Sequence, residues 1–168
     1  MSRRDLTVKW ALYGAAVLAV VLVQSLILNY IRVLSVHPFL LPMLVGVIAA
    51  FEGPQGGCTF GLVFGALCDM TTQAAIPCFY TLDFVLIAFL SALIAKNLIA
   101  PGFFCSLLVS AISLLVTQLF YTLIFTYHSI GSPLGILSLM GRELLVSMVL
   151  SPLLYLLFHH VYRKTKTD

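Results

Sequence analysis

Charge is what this sequence has least of. Only 9% of its 168 residues are charged, 61% are hydrophobic, and the mean hydropathy is +1.10. A soluble domain of this length would expose far more charge, so the solvent here is lipid. Paired cysteines are missing too. Cys58, Cys68, Cys78 and Cys105 fall singly within or beside apolar segments, with no C-x-x-C pair, so neither a zinc site nor a redox pair is suggested. Isolated cysteines of this kind read as buried packing residues. The histidines are scattered: His37 and His128 sit in predicted loops. His159 and His160 are adjacent and so point about 100° apart on a helix. No metal, no cofactor and no nucleic acid partner is expected. A cleavable secretory signal is also lacking: the first apolar run, 10–31, is too long for a signal core and has no small-x-small end. It reads as a transmembrane helix that stays.

Six apolar segments are present, at 10–31, 38–51, 57–70, 80–99, 103–127 and 144–162. They define an all-α polytopic membrane protein, a six-helix bundle forming one integral membrane domain over 1–168. Crossing a hydrocarbon core takes about 20 helical residues. The second and third segments have 14 each, about 21 Å of helix. They either run on into their flanks or form a short hairpin shielded by other helices. With both termini cytoplasmic, Arg3, Arg4, Lys9, Lys96, Arg163, Lys164 and Lys166 lie inside and Arg32 and Arg142 outside, a seven-to-two positive-inside bias. A re-entrant hairpin would leave that count unchanged, so charge does not choose between six spans and four spans plus a hairpin. In the outer loop 128–143, Ser132 can cap a helix, Pro133 suits its first position and Gly141 its stop. This predicts a short interfacial helix; the alternative is the start of the sixth span.

Small and polar residues run in seams through these segments. Gly57, Gly61, Gly65 and Asp69 recur every four residues in the third segment. Four helical residues drift only about 40°, so they share one winding face. Small residues let backbones approach in lipid, where hydrophobicity gives helices little reason to associate. Pro38, Pro42, Gly46 and Ala50 repeat the pattern in the second segment, and the FEGPQGG turn brings the two faces within reach. Packing of these faces against each other is the expectation; a partner-binding face is the alternative. Ala11, Ala15 and Ala19 make a further ladder, with Gln24, Ser25 and Asn29 beyond it. Ser106, Ser110, Ser113 and Thr117 line the fifth segment and Ser147, Ser151, Tyr155 and His159 the sixth, where Pro152 frees the Met148 carbonyl. Such hydroxyls bond across helices or back to their own chain. A transport pathway usually needs ionisable groups deep in the bilayer, and none is evident.

Two carboxylates remain: Asp69 ends the third segment, and Asp83 opens the fourth, favoured by the helix dipole after a Thr81 cap. An intramembrane aspartyl protease would use two aspartates sharing a proton. The chain lacks the Asn-x-Gly-Ala pattern of lipoprotein signal peptidases, so no enzyme is expected. Glu52, at the inner turn, can pair with Lys96 or face water.

The run HPFLLPMLVGVIAAFEGPQGGCTFGLVFGALCDM, then a polar turn and an apolar helix, resembles the rod shape-determining MreD family. The matching positions are Phe60-Gly61-Leu62 and Gly65-x-x-x-Asp69, with a Pro-rich opening to the second span. Length and basic ends agree across the whole chain; Ala75 and Pro77 stand where the family usually has a Gly. The resemblance implies a non-enzymatic subunit of the bacterial cell-elongation machinery in the cytoplasmic membrane. It would bind an MreC-like membrane protein and act with MreB, a membrane glycosyltransferase and a class B penicillin-binding protein. The family is similar in fold to the substrate-binding S components of energy-coupling-factor transporters, which supplies the alternative of a small-solute-binding subunit.

Overall fold

The structure, a computed structural model, describes residues 3–28, 30, 36–71, 76–99, 102–127 and 133–165, apart from the side chains of 3–8, 27, 127, 133–137 and 164–165. Asn29, Arg32, Ala75, His128, Ser132 and Lys166 lie outside that range, as do the side chains of Arg3, Arg4 and Lys164. The described residues are helical almost throughout. α1 (Arg3–Val23) runs into a π-helical turn, Gln24–Leu28, and is followed by α2 (Leu41–Thr71), α3 (Phe79–Asn97), α4 (Phe103–Tyr127), α5 (Pro133–Met148) and α6 (Ser151–Thr165). Three helices are long and apolar enough to cross a membrane, with spans at Lys9–Leu26, Phe79–Asn97 and Phe103–Thr126. A fourth is counted if α5 and α6, bent by 45° at their junction, act as one.

α2 is two helices in one. Gly53 at φ 78°, ψ −177° breaks it where the sequence places the turn, a conformation open to glycine, and Pro54 then starts the second arm where its missing N–H costs nothing. The first arm, 41–52, is about 18 Å long and the second, 54–71, about 27 Å. Every residue from Pro42 to Phe51 is buried. A helix apolar on all sides belongs in a core, and this arm sits among α3, α4 and α6. The periphery is inverted relative to a soluble protein: Leu62, Leu82, Leu119, Leu153 and Leu156 are all more than half exposed, as lipid-facing residues are.

α5 and α6 differ from the expected loop helix plus sixth span. α5 begins at Pro133 but runs through Gly141 to Met148. Exposed Gly141 has room on every side and no demand for a special backbone, so it does not stop the helix. The break comes at Val149 and Leu150, just before Pro152, whose ring excludes a regular turn there.

Candidate functional site: a glycine seam and the cavity beside it

The glycines of the second α2 arm meet backbone. A Cβ added at Gly61 would lie 2.8 Å from the Phe84 carbonyl oxygen, and one at Gly65 would lie 2.6 Å from Thr81 Cα and 2.7 Å from the Tyr80 oxygen. Both neighbours are on α3, not on the second segment as the spacing suggested. Gly57 alone of the three faces the first arm, 2.7 Å from Ala49 Cα by the same measure. Past that point the arms diverge, and α3 fills the space with Phe84 stacked on Phe64 at 5.7 Å. The face of the first arm turns elsewhere. Pro42 is buried in the core, Gly46 abuts Ser113 and Val109 of α4 and Ser91 of α3, and Ala50 packs with Cys105 and Val109.

Asp69 completes the seam. Its Oδ1 accepts the Tyr80 N–H at 2.9 Å, and its Oδ2 accepts the Thr81 N–H at 2.9 Å and the Thr81 hydroxyl at 2.6 Å. A helix leaves its first N–H groups without internal partners and its N-terminus partly positive. At α3 the cap position is Cys78, held left-handed at φ 61° with no side-chain cap bond. Asp69 supplies the missing acceptor from another helix. Thr81 is therefore not the cap; it donates to the carboxylate that is. The glycines set α3 against α2, and the aspartate at the next four-residue step fixes its end.

Asp83 is far from an exposed helix start. It is 1% exposed and accepts the Thr117 hydroxyl of α4 at 2.7 Å through Oδ2, while Oδ1 has no partner among the described residues. The sequence therefore conceals a deep carboxylate. Ser106, Ser110 and Ser113 are buried along α4 on the N-terminal side of Thr117; Ser113 donates to the Val109 carbonyl at 2.8 Å, and Thr117 also reaches the Ser113 carbonyl. The π turn missed by sequence reasoning carries another polar anchor. Gln24 donates to the Pro38 carbonyl at 2.8 Å and accepts the Leu40 N–H at 3.1 Å, and the Phe39 N–H donates to Ser147. Single π turns recur at functional sites. At the opposite end Glu52 pairs with Lys9 rather than Lys96, which is exposed. The alanine ladder of α1 (Ala11, Ala15, Ala19) is exposed, whereas Tyr13, Val17 and Val20 face inward.

Between α1 and the second α2 arm lies a cavity of about 810 Å³. Its walls are apolar, with Val17, Leu18 and Val21 facing Phe60, Val63 and Leu67. Polar groups gather at one end: Gln24, Ser25, His37, Thr71, Tyr80 and Glu143. Glu143 accepts from Gln118 at 2.8 Å through Oε2. Among the described residues no group of three His, Cys, Asp or Glu comes together. No family model, no curated protein and no solved structure matches the chain. What the molecule defines is a helical protein, with helices long and apolar enough to cross a membrane, that has a sealed helix seam and an open cavity side by side along one helix arm.

Proposed function

We propose that the chain is a non-enzymatic membrane subunit of the bacterial cell-elongation machinery, a protein of the MreD type. It spans the cytoplasmic membrane six times with both termini inside, binds an MreC-like partner, and works beside MreB filaments, a membrane glycosyltransferase and a class B penicillin-binding transpeptidase. The observation that carries this reading is the role of Asp69. The motif that resembles the family, Gly61 to Asp69, ends in a carboxylate whose oxygens are spent on the N-terminus of α3. That is the chemistry of a scaffold. Asp83 bonds a different helix through Thr117, and neither arrangement resembles two aspartates sharing a proton.

The test is affinity purification from native membranes followed by identification of what comes with it. An MreC-like protein with a coiled coil supports the reading; a pair of ATPases overturns it in favour of a solute-binding S component, the alternative that draws on the cavity beside Gln24. Topology is checked separately with a membrane-impermeant thiol reagent, in a background without the four native cysteines. Labelling in intact cells is expected for a cysteine at position 130 and not for one at 166; the reverse would sink the orientation.

A further inference from the structure

The cavity between α1 and the second α2 arm has the dimensions and polarity of one bilayer leaflet. On α1 its lining runs from Gly14 to Ser25 and on α2 from Phe60 to Thr71, in each case eleven helical steps or about 16 Å. Half of a hydrocarbon core is about 15 Å. Both stretches pass from apolar to polar in the same direction, from Gly14, Val17 and Phe60 at one end to Gln24, Ser25 and Thr71 at the other. A polar solute would find no partners along most of that length. The cavity has about 810 Å³. An acyl chain beneath a polar head fits both the volume and the gradient.

The rim narrows the head group. Glu143 is the one carboxylate among the described lining residues, and its Oε2 accepts from Gln118. His37 also lines the rim. A carboxylate takes up donors, and a primary ammonium offers three. A quaternary ammonium offers none. We propose that this cavity is a binding site for a phospholipid with a primary ammonium head group: one acyl chain between α1 and α2, the head at His37 and Glu143. The site would hold α1, whose helix packing is otherwise chiefly on α6, against the rest of the bundle.

Native mass spectrometry of the full chain, loaded with equimolar phosphatidylethanolamine and phosphatidylcholine in mild detergent, tests this directly. Wild type is expected to retain one phospholipid, favouring phosphatidylethanolamine about tenfold, as one charge-assisted hydrogen bond would give. Glu143→Gln should bring that preference close to unity. Gly14 lines the cavity and an added Cβ there meets nothing within 4 Å, so Gly14→Phe should fill the site without disturbing the fold. It should cut retention of both lipids about tenfold, a loss of about 1.4 kcal/mol, with the melting temperature held. Failure of wild type to retain lipid, equal retention of the two lipids, or full retention by Gly14→Phe overturns the proposal. So does a polar solute bound in place of lipid. A photo-crosslinker at position 18 that captures a second polypeptide in native membranes, rather than lipid, overturns it as well. None of these readouts depends on whether an MreC-like partner is recovered.

Discussion

The second arm of α2 has two sides that obey opposite rules. Toward α3 it presents Gly61 and Gly65, whose absent side chains leave backbone against backbone, with Asp69 bonded across at the end. Toward α1 it presents Phe60, Val63 and Leu67 against Val17, Leu18 and Val21, and the helices stand apart around about 810 Å³. Lipid tails are as apolar as these side chains, so burying them against each other gains little. Close contact in a membrane has to be built from small residues and satisfied polar groups. Where the chain supplies branched residues on both sides, it leaves room.

The largest break in that contrast should come from Gly65→Leu. The neighbour is the Thr81 backbone, which cannot swing aside as a long side chain would. Overpacking costs about 1–3 kcal/mol in ordinary cores. Here the shift also pulls Asp69 from its donors, so a loss above about 3 kcal/mol is expected, counting one charge-assisted cap. Reactivity of the buried thiols Cys68 and Cys105 during heating in detergent reads it out. A melting profile equal to wild type would mean that α3 does not lie on this face.

Thr117→Val should come next. It keeps the shape but removes the hydroxyl that Asp83 accepts, leaving both oxygens of a buried carboxyl without a described partner. A cost of about 1–3 kcal/mol is expected. Asp83→Asn/Thr117→Val, assayed by the same thiol probe, should recover part of it, since an amide is easier to bury than a carboxylate. If the double variant is no better than Thr117→Val, the pair is not coupled.

Asp69→Asn sharpens the comparison rather than breaking it. Asparagine also caps helices well, and what is lost is the charge facing the α3 dipole, about 0.3–1 kcal/mol. Asp69→Ala loses the acceptors as well and should cost about 0.5–2 kcal/mol. Its bonds to the start of α3 put the effect on the protein's own stability. Loss of partner binding by Asp69→Asn with an unchanged melting profile would put it on a partner instead.

How much of this was legible beforehand follows from range in sequence. The four-residue spacing, the turn at Gly53-Pro54 and the interruption near Pro152 are local, and each appears where local chemistry puts it. Which helix receives the glycine face is not local. Proximity in sequence pointed to the first arm, yet the arms diverge beyond Gly57 and α3 takes the position. Asp83 was misread for a related reason: four residues past Phe79 it resembles a helix-start residue, and its one described hydrogen-bond partner comes from α4. Glu52 finds Lys9, 43 positions upstream, by the way α1 returns beside the hairpin. The cavity could not be read at all, because it is set by the separation of two helices rather than by any residue in them.

The smallest effect is also the sharpest comparison: the same substitution, glycine to alanine, at Gly61 and at Gly14. At Gly61 the new methyl would sit 2.8 Å from the Phe84 oxygen and 3.3 Å from Ala88 Cβ, and the seam must widen to admit it. At Gly14 nothing lies within 4 Å, and the residue is exposed in the middle of α1. Glycine in a helix interior is about 0.8–1 kcal/mol less favourable than alanine, a difference reduced where lipid already discourages an unfolded backbone. Gly14→Ala should therefore raise stability by about 0.5 kcal/mol, while Gly61→Ala should lower it by about 1 kcal/mol. Opposite signs in parallel thermal melts would place the sealed face and the open face on the two sides of the arm. Equal signs would mean that α1 and α3 lie equally close to it, and the distinction between seam and cavity would go.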